Sequence, residues 1–333
     1  MLMAANGRRA TFLGVGHYAP ENVLTNFDLE KIVDTSDEWI IERTGIRERH
    51  IVTDEQAASD LAVPAAERAL KNAGVAAEDI DLIVLGTVTP DFFFPSTACI
   101  VQDKIGAKNA GAFDMLAGCS AFIYGCNIAT QFIGTGRYEH VLVIGVETLS
   151  KLMDMTDRNT CVLFGDGAGA AVLGPAKNDG GILSNFMKAD GSLGYLLEMP
   201  GGGSRRPPTH ESLDARLHYI KMAGREVFKN AVRSMCEAAT YVLDEAGYTG
   251  ADVSLLVPHQ ANWRIMSAVA DRLKIPHEKV FVNLDKYGNT SAASIPIALS
   301  EALEQGRINA GDLVLNVAFG AGFTWAANLV RWE

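Results

Sequence analysis

Cysteine is scarce in this chain. Five occur in 333 residues, at positions 99, 119, 126, 161 and 236, an odd number with no CxxC pair. A disulfide framework and a thiol-based zinc site are therefore poor candidates, and a reducing compartment fits. Basic charge is also short: 29 Lys and Arg face 40 Asp and Glu, for a net charge of −11. That excludes a basic surface spread along nucleic acid. No leader is expected either. Arg8-Arg9 is followed by Gly14, Gly16, His17 and Pro20 rather than by an apolar run, so a cytoplasmic location is expected. One uncharged stretch, Met115 to Gly136, is long enough to span a bilayer, but it carries Ser120, Asn127, Thr130, Gln131 and several Gly. These are costly in lipid, so the stretch reads as a helix buried inside protein, and no membrane association is expected.

What is abundant is apolar surface: 48% of residues are hydrophobic, ample for a large core. Short apolar runs read as buried strands at 10–15, 82–86, 141–145, 170–173, 254–257, 313–317 and 326–330, with helical patterns between them, notably 60–74 and 220–247. Gly74 and Gly247 are placed to end those helices. This is an α/β chain. It also echoes itself. Leu70-Lys-Asn-Ala-Gly74 with its following strand resembles Leu243-Asp-Glu-Ala-Gly247 with its own, and Gly118-Cys-Ser-Ala121 resembles Gly288-Asn-Thr-Ser291. Two echoes at a common spacing of about 170 residues predict two similar halves, 1–174 and 175–333, with Cys119 and Asn289 at equivalent places.

Three positions carry candidate chemistry. Cys119 follows the strand-like Gly111–Met115 in a turn of small residues that opens a helix. That geometry exposes a nucleophile at the tip of a turn, and a helix N-terminus favours a thiolate at neutral pH. The other four cysteines lie in apolar periodic stretches and read as core. His259 ends the strand 254–257 through Pro258, where α/β folds place chemistry. The remaining histidines, 17, 50, 140, 210, 218 and 277, lie in polar or loop contexts and read as surface. Asn289 either donates an amide N–H to a developing oxyanion or caps the helix that follows. Gly165 to Gly169 lacks the Lys-Ser/Thr of a phosphate loop and reads as tight packing. Phe319-Gly-Ala-Gly-Phe323 follows a strand, from which backbone N–H groups can reach a reacting carbonyl.

Together, Gly118-Cys-Ser-Ala121, Pro258-His-Gln-Ala-Asn262 and Gly288-Asn-Thr-Ser-Ala-Ala-Ser294 resemble the β-ketoacyl-acyl-carrier-protein synthase III family. Asp34-Thr-Ser-Asp-Glu-Trp-Ile40, Arg43-Thr-Gly-Ile-Arg47, Thr156-Asp-Arg158 and Phe164-Gly-Asp-Gly-Ala-Gly169 add to the match, which runs from about residue 10 to the C-terminus. The resemblance implies the thiolase fold, two duplicated halves forming a five-layer αβαβα sandwich, and a homodimer. It implies a catalytic triad of Cys119, His259 and Asn289. It implies a reaction in which an acyl-CoA primer acylates Cys119. In that reaction malonyl-acyl carrier protein would then lose CO₂ and its carbanion would attack the acyl-enzyme, giving 3-ketoacyl-acyl carrier protein. Both thioesters are substrates; no cofactor and no metal are implied. Backbone N–H groups of Cys119 and of Gly320–Ala321 would hold the oxyanion. Trp39 and Arg158 would form two sides of an adenine sandwich, with Thr35 and Arg43 beside them. Thr35-x-x-Glu38 equally fits a capping box. Gly224, Phe228 and Asn262 would line the pantetheine tunnel, and Phe94 would reach the partner's acyl pocket. Arg225 and Trp263 depart from the residues common at those positions.

Three other readings compete. Cys, His and Asn in this order also suit a hydrolase, although no aromatic residue follows Cys119. Another thiolase-fold enzyme making polyketide or long-chain 3-keto products is closer. A carrier-binding scaffold would need no nucleophile. Acyl carrier proteins are acidic, as the resemblance implies, and so is this chain. Lys221, Arg225, Lys229 and Arg233 recur every fourth residue on one predicted helix, with Arg264 and Arg272 on the next. Lys221, Arg225, Lys229, Arg264 and Arg272 are expected to dock the carrier.

Overall fold

A computed structural model describes residues 7–333. The apolar runs form two sheets built on one plan. The first has the spatial order Ala10–Tyr18, Asp166–Pro175, Val141–Thr148, Leu82–Gly86, Gly111–Met115. Its first two junctions are antiparallel and its last two parallel. The second runs Gly181–Ala189, Thr324–Arg331, Leu313–Gly320, Leu255–Pro258. Its junctions are antiparallel, antiparallel and parallel, and Val280 bridges Leu256 in parallel where a fifth strand would lie. The four strands of the second sheet follow the order and sense of the first four strands of the first.

Helices fill the remaining layers. Ala58–Ala73 packs on the first sheet and Gly224–Ala246 on the second. Between the sheets lie Ala121–Gly134 and Ser294–Glu304. A helix covered on both sides must be apolar all round, and Ser294–Ala302 is buried without interruption. Within the uncharged stretch 115–136, the helix Ala121–Gly134 is buried along most of its length, with Gln131 exposed. Among the described residues, no helix is long and apolar enough to cross a membrane. Close approach between layers depends on missing side chains: a Cβ on Gly145 would lie 2.1 Å from the carbonyl oxygen of Ala292, and one on Gly169 would lie 2.6 Å from Pro296 Cβ. Tight packing is thus the role of the Gly165–Gly169 run.

Several expectations need correction. The helix expected from residue 220 begins at Gly224, because Lys221–Met222 pairs as a short strand with Leu197–Glu198. Lys221 is therefore off the helical stripe. Strand Gly181–Ala189 was not expected: it is an edge strand whose last residues face solvent, so it lacks a continuous apolar run. Cys126 and Cys161 are core, but Cys236 is half-buried and Cys99 exposed. His210 and His277 are on the surface, whereas His17, His50, His140 and His218 are half-buried. His17 meets the Ser300 hydroxyl at 2.8 Å, and the His50 ring meets the Pro20 carbonyl.

Candidate active site

The strand Gly111–Met115 leads into Ala117 and Gly118, and Gly118 takes φ +53°, a conformation that favours glycine. One 3₁₀ turn, Gly118–Ser120, then carries Cys119 into the central helix. The hairpin of the second half presses directly on this turn. A Cβ on Gly118 would lie 2.8 Å from the Ala321 nitrogen, and one on Gly320 would lie 2.4 Å from the Cys119 nitrogen. Thr324 Oγ1 donates to the Ala117 carbonyl at 2.7 Å, and Ser120 Oγ donates to the Thr324 carbonyl at 3.1 Å. The Cys119 turn and the hairpin are thus locked together.

Burial pushes the Cys119 thiol up to about 12, against hydrogen bonds from the Ser291 hydroxyl and from the N–H groups of Cys119 and Ala321. The nearby carboxylate of Glu147 also raises it. Burial thus opposes the thiolate that a helix terminus favours.

His259 is tied by its backbone N–H to the Val317 carbonyl at 2.8 Å, so its position follows from the strand end. Its side chain is 3% exposed. Burial lowers its pKa to about 3, so the ring is neutral at physiological pH. Nδ1 meets Ser294 Oγ at 2.6 Å, while the Gln260 N–H donates to that same Oγ at 3.4 Å. With Oγ accepting from the backbone, its O–H is free to donate to Nδ1, which leaves the ring proton on Nε2. Asn289 is pinned to the first half: its N–H donates to the Leu163 carbonyl at 2.8 Å, and its carbonyl accepts from Gly165 at 3.0 Å. Its Oδ1 accepts from the Ser291 N–H at 2.9 Å. The capping reading does not hold, since Thr290 and Ala293 occupy the N-cap positions of the turn Ser291–Ala293 and of the helix Ser294–Glu304; the Asn289 oxygen closes a local turn instead, and its Nδ2 group remains to donate elsewhere.

Cys119, His259 and Asn289 line one cavity of about 170 Å³. A family pattern described as 3-Oxoacyl-[acyl-carrier-protein (ACP)] synthase III matches residues 113–191, and its C-terminal counterpart matches residues 243–332. The chain is 58% identical to a beta-ketoacyl-[acyl-carrier-protein] synthase III of Caldanaerobacter subterraneus subsp. tengcongensis, over 97% of this chain and 98% of that protein. It is 55% identical to one from Clostridioides difficile, over 97% and 98%. The crystal structure of 3-oxoacyl-[acyl-carrier-protein] synthase III from Aquifex aeolicus superposes with a TM-score of 0.91 at 53% identity, covering 97% of this chain and all of that one. The chain belongs to the synthase III family.

In this synthase III chain the same cavity is also lined by Gly224, Phe228, Asn262 and Gly320. Asn262 also caps the helix Trp263–Leu273, accepting from the Arg264 N–H at 2.9 Å and donating to the Arg43 carbonyl at 3.0 Å. Trp263 packs away from the cavity, over Gly45 and edge-on to His277. Trp39, Arg43 and Arg158 form a separate cluster. The Arg158 guanidinium lies 5.0 Å from the Trp39 ring centroid and that of Arg43 5.7 Å, with Arg158 also donating to the Asp34 carbonyl at 2.7 Å. Arg158 and Trp39, the two expected sides of the sandwich, thus lie in direct cation–π contact. The capping box at Thr35 does not form. Ser36 caps the helix Asp37–Thr44, and Thr35 Oγ1 is buried without a partner.

The basic residues divide. Arg264 lies over the Phe228 ring at 5.9 Å, at the rim of the cavity, and Arg225 and Lys229 are exposed on the first turns of the long helix. Arg272 turns instead toward Cys236. Phe94 is 86% exposed and does not line the cavity of its own chain. Sequence reasoning missed Ser294, Ser291 and Glu147. The one usable signal was Glu147, a carboxylate inside the wholly buried strand Val141–Thr148.

Proposed function

We propose that this chain catalyses the initiating condensation of type II fatty acid synthesis, with acyl-CoA and malonyl-acyl carrier protein as substrates and no cofactor. The observation that carries the reading is the convergence of a thiol, a neutral imidazole and a side-chain amide on one cavity. Cys119 is the nucleophile. A thiol suits both halves of the reaction, since it attacks a thioester readily and leaves readily from the acyl-enzyme. His259, through Nε2–H, and Asn289, through Nδ2, donate to the malonyl thioester oxygen as enolate charge develops on loss of CO₂. The Cys119 and Ala321 N–H groups, already turned toward the sulfur, receive the oxyanion of the primer step; Gly320 serves by letting that backbone approach.

Acyl-CoA enters past Trp39, Arg158, Arg43 and Thr35, and its pantetheine arm runs along Gly224, Phe228 and Asn262. Arg225, Lys229 and Arg264 receive the carrier protein at the rim. Lys221 flanks them, and Arg272 is peripheral to the mouth. Phe94 extends into the site of a second copy in a homodimer. The two halves divide at 174/175, at the end of strand Asp166–Pro175 and ahead of Gly181–Ala189.

Intact-mass measurement after mixing with acetyl-CoA tests the reading. One acyl adduct is expected, absent from Cys119→Ala. No adduct with short, long or branched primers, or an adduct that survives Cys119→Ala, would overturn it. His259→Ala and Asn289→Ala are expected to acylate but to decarboxylate malonyl-carrier protein about a hundredfold more slowly.

A further inference from the structure

Two residues of the sequence motifs have no part in the chemistry so far: Gln260 in Pro258-His-Gln-Ala-Asn262 and Ser294 at the end of Gly288-Asn-Thr-Ser-Ala-Ala-Ser294. The fold brings them together against His259. Ser294 is the first residue of the central helix Ser294–Glu304 and is 2% exposed. Its place is set by the close packing just before it, where a Cβ on Gly145 would lie 2.1 Å from the Ala292 carbonyl oxygen and 3.2 Å from the Ala293 nitrogen. Gln260 is buried and fixed just as firmly. Its Nε2 donates to the carbonyls of Pro258 at 2.8 Å and Phe281 at 3.1 Å, and its Oε1 accepts from the Asn283 N–H at 3.1 Å. The side chain thereby holds its own peptide in place, and the Gln260 N–H donates to Ser294 Oγ at 3.4 Å.

Among the described residues, Ser294 Oγ has two hydrogen-bonding neighbours: that N–H, and His259 Nδ1 at 2.6 Å. The N–H can only donate. A proton on Nδ1 would make a second donor, and the Ser294 O–H would then be buried facing no acceptor, a costly arrangement. With Nδ1 bare every group is paired, the N–H donating to Oγ and the O–H donating to Nδ1. We propose that Ser294, held by the Gln260 N–H, is the positioning residue that selects the Nε2–H tautomer of His259 and fixes the plane of its ring. The role rests on His259 donating to the malonyl thioester oxygen. Ser294 touches no substrate and acts through the imidazole.

Both constraints matter to a donor. A half-turn of the ring would put a carbon where Nδ1 meets the serine. A proton moved to Nδ1 would leave Nε2 with a lone pair toward the cavity, and a lone pair repels the enolate oxygen that an N–H stabilises. Burial keeps the ring neutral, so the choice of tautomer is not masked by a second ring proton. No proton leaves His259 in this role. The bond between the malonyl α-carbon and its carboxylate breaks, CO₂ departs, and the electron pair passes into the enolate while Nε2–H donates to its oxygen. Acylation of Cys119 by the primer does not call on that N–H, so the damage from losing Ser294 falls on decarboxylation.

Nitrogen NMR of the full chain with isotope-labelled histidine tests the tautomer directly, the His259 signals being those lost in His259→Ala. At neutral pH the wild type is expected to show His259 as one tautomer, protonated at Nε2. Ser294→Ala is expected to show both tautomers and to decarboxylate malonyl-carrier protein about tenfold more slowly, with a smaller loss in single-turnover acylation. Ser294→Thr, which keeps the hydroxyl, is expected to restore the single Nε2–H tautomer and most of the rate. A wild-type ring protonated at Nδ1 would overturn the role, and that result needs no variant to fold. So would a Ser294→Ala enzyme that keeps the single Nε2–H tautomer or decarboxylates at the wild-type rate. A ring that is Nε2–H in the wild type and mixed in Ser294→Ala, in an enzyme that does not decarboxylate, would overturn the condensing reading and leave the tautomer assignment standing.

Discussion

At the scale of single residues, burial moves two protons in opposite directions. His259 is depressed to about 3 from an ordinary 6.5, so as pH falls below 6.5 the unfolded chain takes up a proton that the native state refuses, and stability drops. Glu147 is raised from 4.5 to about 7, so the native state holds a proton between those values that the unfolded chain has released, and stability falls as pH rises through that window. Between about 4.5 and 6.5 the two effects oppose each other. Replacing Glu147 with Gln removes only the second. Melting temperature measured at pH 5 and pH 7 is expected to increase more with pH in Glu147→Gln than in the wild type; an equal increase would mean that the carboxyl titrates at its ordinary value in the native protein. Residue identity made Cys119, His259 and Asn289 legible, because a turn of small residues and a strand end are local features. Their proton states were not legible. A helix terminus is local, whereas the desolvation that opposes it at Cys119 comes from residues scattered along the whole chain.

At the scale of elements, the decisive contact is between the Cys119 turn and the hairpin that follows strand Leu313–Gly320. Gly320 has no room for a side chain, since a Cβ would meet backbone atoms of Cys119 and Ser120, which cannot swing aside as a flexible side chain would. Gly320→Ala is expected to cost about 1–3 kcal/mol of stability, the usual range for overpacking. It should also lower the acylation rate more than a substitution of equal stability cost remote from the site, because the Ala321 N–H moves with the hairpin. Denaturant unfolding paired with single-turnover acylation checks both. Strands covered on both faces, such as Leu82–Gly86, announce themselves as apolar runs, and Gly74 and Gly247 end their helices in left-handed conformations as their sequence positions require. The start of the long helix was not legible. Ile220 and Ala223 continue its apolar period, yet pairing of Lys221–Met222 with Leu197–Glu198 holds them in an extended connection. Local period cannot reveal a partner strand more than twenty residues away.

At the scale of the whole molecule, two features of the surface remain to be matched with partners. The net charge of −11 opposes an acidic carrier at long range, while Arg225, Lys229 and Arg264 gather near the cavity rim. Reversing Lys229 and Arg264 to Glu is expected to raise the apparent KM for malonyl-carrier protein severalfold at low salt, with the difference fading as ionic strength shortens the screening length. An unchanged KM at low salt would make the patch an ordinary solvated face. The second feature is apolar. Strand Gly111–Met115 is the edge of its sheet, and beside it in sequence Leu116 is 78% exposed. Phe93 and Phe94 are exposed to 83% and 86%. An open edge and large bare side chains are what a chain that stays single avoids, and they suit the proposed homodimer. Leu116 lies three residues before Cys119, so the same surface adjoins the nucleophile turn. If a second copy covers it and supplies Phe94 to the primer pocket, assembly and acylation are coupled. Leu116→Glu is expected to sediment as a monomer and to acylate at least tenfold more slowly per chain, with the rate recovering as protein concentration drives re-association. A monomer that acylates at the wild-type rate would separate the two and leave Phe94 with no part in the pocket.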